Sequence, residues 1–214
     1  MTDAPKLLPL VEALYPICRS ITGDGARETF KILGDRLPLQ LTEVPSGTQA
    51  FDWTVPDEWN IREAWIEDPN GQRIVDFQDS NLHVLNYSVP VDAEVDRATL
   101  DQHLYSLPEH PDWTPYRTSY YVEQWGFCMP HRLRESLVEG NYRVYIDADR
   151  APGNLTYAEC LVPGELEDEI LLYTHSCHPS LCNDNLSGIA VAAALGERLL
   201  TMDKPRHSLS LIHI

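Results

Sequence analysis

The side chains with the clearest capacity for chemistry lie together in one short stretch, Tyr173–Gly188, with the sequence YTHSCHPSLCNDNLSG. This stretch holds two imidazoles, His175 and His178, and one carboxylate, Asp184, which is flanked by asparagines. Imidazole nitrogens and carboxylate oxygens are common ligands of zinc in proteins. The composition of the stretch therefore predicts a divalent-metal site, with zinc as the expected ion and His175, His178 and Asp184 as candidate ligands.

Each of these side chains also has an ordinary structural role. An aspartate just before a helix often caps it, and a single histidine at the end of a strand is usually a hydrogen-bonded surface or core residue. Cys177 and Cys182 are possible soft ligands, although small buried thiols are commoner. The occurrence of all these groups in one loop favours the metal site over separate structural roles.

The flanking segments predict a strand before the loop and a helix after it. The strand, Glu169–His175, is mostly apolar. Its alternation places Tyr173 and His175 on one face. His175 then lies at the carboxyl end of the strand, where open α/β sheets bind ligands. The run Ile189–Leu200 is rich in alanine and predicts a helix that packs closely on the sheet.

The N-terminal part of the chain predicts two helices joined by a turn. Apolar residues recur at helical spacing in Lys6–Arg19 and again in Ala26–Leu37. Arg19 and Arg27 bracket the turn between them. This pair predicts either an anion site or, more simply, two solvated arginines.

A change of pattern in the middle of the chain predicts an inserted domain. Short strands with turn signals replace the helical pattern there, and Leu82–Pro90 is one predicted strand. We predict an α/β fold in which residues 1–58 and 151–208 form a mixed sheet with flanking helices, and residues 59–150 form a small β-rich domain. Tyr157–Val162 and Glu169–His175 are predicted to be neighbouring strands of the mixed sheet.

The last six residues of the chain are LSLIHI, at positions 209–214. They equal the in-frame translation of a common transposase sequencing adaptor, CTGTCTCTTATACACATC. A genuine apolar strand is the alternative interpretation. If the segment is adaptor-derived, the chain is an N-terminal fragment and His213 is not a metal ligand.

Composition narrows the class of partner and the compartment. The chain has 214 residues, 43% hydrophobic and 23% charged, and a net charge of −17. Such an acidic chain disfavours nucleic acid and anionic membrane as partners. The sequence shows no basic region followed by an apolar core and no membrane-spanning run. Its five cysteines form no disulfide pattern. These features predict a cytoplasmic protein.

The segment THSCHPSLCNDNLSGIAVAAAL resembles the first metal motif of zinc-dependent aminopeptidases, in which a strand-terminal histidine is followed by a D-N-x-S-G segment. It is similar in more detail to a bacterial aminopeptidase-like group bearing H-x-C-H-P-S and N-D-N-L-S-G. The segments CRSITGDGARET and PYRTSYYVEQWGFC also resemble that group. The resemblance therefore covers nearly the whole chain up to about residue 208.

The resemblance implies a role for each candidate ligand. His175 matches the first histidine ligand, Asp184 matches an aspartate that bridges two metals, and His178 is a rival or additional ligand. The aminopeptidases usually carry an aspartate two residues after the first histidine, and Cys177 stands there in this chain. Either another group orients His175, or His178 takes its place as ligand. The general base and the remaining ligands would lie downstream of this chain.

The resemblance implies a zinc-dependent aminopeptidase-like metallohydrolase, with one or two divalent ions, that cleaves an amide bond in a peptide or small amide. The fragment alone would be inactive. One alternative is a deacylase or amidohydrolase acting on a sugar or small conjugate. Another is a metal-stabilised binding module without catalysis.

Overall fold

The computed structural model describes residues 7–213, which form two compact units. The first combines residues 7–57 with residues 152–213, and the second is Glu58–Ala151. The helices within the described residues are α1 (Leu7–Leu14), α2 (Asp24–Gly34), α3 (Arg97–Asp101), α4 (His131–Ser136) and α5 (Ser187–Leu200). A 3₁₀ turn covers Asn81–His83, and a π-helical turn covers Cys182–Leu186. Among residues 7–213, no helix combines the length and the apolar character needed to cross a bilayer.

The strands within residues 7–213 are short to medium in length and belong to four separate sheets. In chain order they are β1 (Gln40–Pro45), β2 (Gln49–Ala50), β3 (Trp53–Thr54), β4 (Glu58–Glu67), β5 (Arg73–Asp76), β6 (Val91–Asp96), β7 (Leu104–Tyr105), β8 (Phe127–Cys128), β9 (Asn141–Ala151), β10 (Asn154–Val162), β11 (Leu166–Thr174) and β12 (His207–His213).

The first unit is built on a mixed sheet with the strand order β1-β10-β12-β11. Antiparallel pairing joins β1 to β10 and β10 to β12, whereas β11 and β12 are parallel. Parallel neighbours need a crossover connection, and α5 provides it here. The predicted α/β class with a mixed sheet and flanking helices is confirmed. The predicted adjacency of the strands around residues 157–162 and 169–175 is wrong, because α5 leads the chain back and β12 lies between them.

The helices of the first unit pack their apolar sides into one core with the sheet. Apolar side chains from α1, α2 and α5 share that core with side chains from β10 and β12. Close approach is needed at Gly196 in α5, where an added Cβ would come within 2.8 Å of Leu37 Cδ2. The alanines Ala190 and Ala193 are buried on the same helix. Small residues in α5 therefore serve tight packing, as the sequence predicted.

The second unit contains an antiparallel sheet of order β5-β4-β9-β6 and a small parallel pair, β7-β8. Asp68 closes the β4–β5 hairpin by accepting the backbone N–H groups of Asn70 and Gln72, each at 2.9 Å. The predicted strand over residues 82–90 is wrong. Tyr87 there has a φ of 71°, and the Ser88 hydroxyl donates to the Leu85 carbonyl at 2.6 Å. Such local bonds compete with strand pairing.

Residues 209–213 lie in β12, where Leu211 and His213 are fully buried. Within the described part of the chain, neither ring nitrogen of His213 has a hydrogen-bond partner. Burial lowers the pKa of His213 to about 4. His213 is not among the residues that line the cavity at the candidate loop, and the adaptor origin of this segment stays a prediction.

Among residues 7–213, β11 is paired on one side only, by β12. Its side chains stay exposed to an unusual degree for apolar residues, with Leu171 58% and Tyr173 52% exposed. An open apolar edge of this kind is a template for pairing with another chain. We therefore expect the 214-residue chain to associate through β11.

The substitution Leu171→Lys should shift this association to at least several-fold higher protein concentration, because a charged side chain on an edge strand opposes edge pairing. Sedimentation velocity over a concentration series measures the shift. Leu161→Lys is the matched control, since Leu161 is 49% exposed but lies on the interior strand β10. A wild-type chain that stays monomeric, or equal shifts for both variants, would contradict the prediction.

Candidate metal centre

The candidate ligands lie between the end of β11 at Thr174 and the start of α5 at Ser187. His175 follows the last residue of β11 directly, so the strand fixes its backbone. Asp184 lies within the π-helical turn, with non-helical φ and ψ of −122° and 92°. The peptide bond from Asp184 to Asn185 is cis. The two flanking elements thus hold both ends of the loop.

The strand supplies a hydrogen-bond partner for His175. The Tyr173 hydroxyl lies 2.9 Å from His175 Nδ1, and the two rings meet edge to face with centroids 5.1 Å apart. Because Nδ1 is engaged by Tyr173, Nε2 is the ring nitrogen that remains for an ion. His175 is therefore held in one ring orientation.

His178 lies deeper in the loop and close to Asp184. Its Nδ1 is 3.8 Å from Asp184 Oδ1 and 3.4 Å from both Cys177 Sγ and Asn185 Nδ2. Two ligands that are each about 2.0–2.2 Å from a shared zinc ion lie roughly 3.4 Å apart at the tetrahedral angle and further apart at wider angles. The spacing of His178 and Asp184 fits ligation of a common ion.

The charge states of these groups also suit metal binding. Burial lowers the pKa of His178, and the carboxylate of Asp184 only partly offsets that effect. A neutral imidazole is the form that binds a metal ion. Asp184 keeps 67% of its side chain exposed, so its carboxylate can reach an ion in the cavity.

A cavity of about 310 Å³ lies beside the loop. Its lining residues come from the end of β11, the π-helical turn and the start of α5, and they are Tyr173, Thr174, His175, Asn183, Asp184, Asn185, Ser187 and Gly188. Any side chain at 188 would close part of it, since an added Cβ would lie 2.6 Å from Thr174 Oγ1. Asn185 Oδ1 is buried and has no hydrogen-bond partner within the described residues. The cavity therefore combines a carboxylate, an imidazole and an amide oxygen with unused bonding capacity.

Cys177 does not replace the orienting aspartate of the resembled family. Burial raises the pKa of its thiol to about 11, so the thiol is protonated at neutral pH when no ion is bound. Its sulfur contacts His178 rather than His175. The group that engages His175 is Tyr173, and the strand alternation that put both residues on one face was the available sequence signal for it.

Arg19 connects the loop to α1 through hydrogen bonds to backbone carbonyls. It is fully buried, and its Nε donates to the His178 carbonyl at 3.1 Å while Nη1 donates to the Leu14 carbonyl at 2.5 Å. Burial lowers the pKa of its guanidinium to about 10. The interpretation of Arg19 and Arg27 as two solvated arginines is wrong for Arg19, which is buried, and the anion site stays a prediction. Arg27 forms an ion pair with Asp24 at 2.7 Å, whereas Arg19 ties α1 to the loop.

The three predicted ligands lie in one loop, but their side chains do not form a complete coordination shell for one metal ion. Across residues 7–213, no group of three or more His, Cys, Asp or Glu side chains has the arrangement of a complete metal site. The rings of His175 and His178 are 6.2 Å apart between centroids. The loop is thus a partial set of ligands, and the assignment of each residue stays a prediction.

The described residues have an aminopeptidase-like α/β fold. The chain matches the fold of a zinc aminopeptidase from Bacillus subtilis with a TM-score of 0.59, at 10% identity, over 100% of this chain and 62% of that one. A peptidase M28 precursor from Shewanella amazonensis gives a TM-score of 0.58 at 11% identity, over 99% of this chain and 64% of that chain. At these identities the similarity shows the fold alone.

The chain belongs to the family described as a domain of unknown function, DUF4910, whose model matches residues 8–214. It is 48% identical, over 194 residues, to a Clostridium acetobutylicum protein provisionally named a polysaccharide biosynthesis protein with aminopeptidase-like domain, covering 91% of this chain and 45% of that protein. A crystal structure of a provisionally assigned peptidase from Clostridium acetobutylicum matches with a TM-score of 0.94 at 45% identity, over 97% of this chain and 49% of that chain. The chain thus spans about half the length of these relatives.

Proposed function

We propose that the full-length protein, meaning the product of the complete reading frame that contains this chain, is a zinc-dependent metallohydrolase that cleaves an amide or peptide bond. The observation that carries the proposal is the loop of His175, His178 and Asp184 at the carboxyl end of β11, beside a cavity, in an aminopeptidase-like fold. The proposed substrate is a peptide or small amide, one or two ions are bound, and the proposed compartment is the cytoplasm.

The residues of the loop have distinct proposed roles. His175 binds the ion through Nε2, since Tyr173 engages Nδ1. Asp184 binds through its exposed carboxylate, and His178 is an additional or alternative ligand 3.8 Å from it. When bound, zinc supplies a Lewis acid and lowers the pKa of a water ligand. The cavity beside Asp184 gives a substrate amide access to that position.

The complete site needs groups that residues 7–213 do not assemble. The relatives are about twice as long as this chain, and we propose that the second half supplies a carboxylate general base and further ligands. The 214-residue chain alone is then expected to be inactive. The proposed division into a core, residues 1–58 with 151–208, and an inserted domain, residues 59–150, places the whole loop in the core.

A second candidate function follows from the name of one relative. The Clostridium acetobutylicum protein is linked by name to polysaccharide biosynthesis. This favours a deacylase or amidohydrolase that acts on an acylated sugar, with the same ligands. A non-catalytic metal-stabilised module is the third candidate, and it would lack hydrolysis of either substrate class.

Removal of the metal tests the function directly. We expect a chelator to reduce amide hydrolysis by the full-length protein by at least about 10³-fold, since a metal that activates water contributes several kcal/mol to the barrier. Added zinc should restore the rate. Aminoacyl anilides and N-acylated sugars are the two substrate panels. Hydrolysis of the sugars alone would select the deacylase, and hydrolysis of neither would select the binding module.

A further inference from the structure

Among residues 7–213, the side chain of Tyr173 makes the one direct hydrogen bond to the His175 ring, at 2.9 Å to Nδ1. Tyr173 is the penultimate residue of β11 and His175 is the first residue beyond it. Side chains two residues apart on a strand share a face. The sheet therefore sets the distance between the phenol and the imidazole.

A metal-binding histidine needs such a partner on its second nitrogen. The partner accepts the ring N–H, fixes the tautomer and holds the ring in place. Cys177, which stands where the resembled aminopeptidases have an aspartate, contacts His178 instead. Arg19 donates to the backbone of the loop, at the His178 carbonyl.

We infer that Tyr173 is the positioning residue of the metal site: its phenol oxygen accepts the Nδ1–H of His175 and thereby presents the Nε2 lone pair to the ion. This inference rests on the proposed function. A neutral imidazole carries one ring hydrogen, and placing it on Nδ1 leaves Nε2 unprotonated. The partner is a phenol hydroxyl, whose oxygen can accept a hydrogen bond as well as donate one.

A neutral phenol accepts a hydrogen bond more weakly than a carboxylate does. Tyr173 therefore fixes the orientation of His175 while adding less basicity to it than an aspartate would. The site gains a ligand held by a rigid strand, and the ion keeps more of its Lewis acidity. This is the functional consequence of having Cys177 in the aspartate position.

The test uses the full-length protein and zinc alone, with zinc affinity measured by competition with a chromophoric chelator. We expect Tyr173→Phe to weaken zinc binding by about 10- to 100-fold, the usual effect of losing an outer partner of a ligand. Phenylalanine keeps the ring that packs edge to face on His175. Tyr145→Phe, on β9 of the other unit, is the matched control and should bind zinc as the wild type does.

A nitrogen-15 spectrum of the zinc-loaded wild-type protein provides a readout that a purely structural role would not produce. We expect His175, assigned with a His175→Gln variant, to carry its hydrogen on Nδ1 and to be bound through Nε2. Binding through Nδ1 would overturn the inference even if Tyr173→Phe failed to fold.

The outcomes separate this inference from the proposed function. If His175→Ala weakens zinc binding and Tyr173→Phe does not, the metal site stands and the role of Tyr173 is refuted. If His175→Ala and Asp184→Ala both bind zinc as the wild type does, both the proposed site and the role of Tyr173 are refuted.

Discussion

The double variant His175→Ala/Asp184→Ala of the full-length protein is expected to lose its zinc. Affinity should fall by more than about 100-fold, because even an outer hydrogen-bond partner of a ligand is worth about 10- to 100-fold. Amide hydrolysis should fall with it. The two side chains lie on opposite sides of the loop, at the end of β11 and in the π-helical turn, and both line the same cavity.

Metal analysis of the purified variant, with zinc affinity measured in parallel, checks this result. His103→Ala is a suitable control, since His103 lies in the second unit, stacked on Trp125 at 3.6 Å between ring centroids. Undiminished zinc content in the double variant would refute the assignment. A single His178→Ala variant then distinguishes the two histidines, because a loss comparable to that of His175→Ala would make both of them ligands.

The second large effect is expected from Arg19→Met. Removing the guanidinium takes away the part-buried hydrogen bond to the His178 carbonyl and the buried one to the Leu14 carbonyl, which keeps the Ile17 N–H as a donor at 3.2 Å. Each such loss costs about 1–3 kcal/mol, while the removal of a buried charge offsets part of it, so the free energy of unfolding should fall by about 2–4 kcal/mol. Chemical denaturation of the 214-residue chain measures the change. Hydrogen exchange over residues 175–186 should show the loop opening first.

Arg27→Met is the matched control for this variant. Arg27 lies eight positions further along and pairs with Asp24, whose side chain is 80% exposed. A surface pair of this kind contributes about 0–1 kcal/mol. Equal destabilisation by both substitutions would show that the buried arginine does not hold the loop.

The strongest local patterns predicted their elements well. An apolar run before the loop and an alanine-rich run after it became β11 and α5, because such short-range periodicity depends mainly on neighbouring residues. The predicted strand over residues 82–90 does not form. The Ser88 hydroxyl donates to the nearby Leu85 carbonyl, and Tyr87 has a positive φ. The prediction that β10 and β11 are neighbours was also wrong. The position of β12 between them depends on how α5 crosses the sheet.

By itself, the sequence identified the candidate metal ligands in the loop, and it placed His175 at a strand end beside Tyr173 on the same face. The α/β class followed from the same local patterns. The individual ligand roles and the domain division remain predictions.

Only the tertiary structure decided what surrounds the loop. Arg19 and His178 are 159 positions apart, yet they share a hydrogen bond, and no local pattern encodes a contact of that separation. The same holds for the roles of Cys177 and Tyr173. Each lies two positions from His175 in the sequence, so either could have oriented its ring. In the packed loop the Cys177 thiol contacts His178, and the Tyr173 phenol contacts His175. Burial and long-range contacts, which arise only when the chain packs, assign the partners of the candidate ligands.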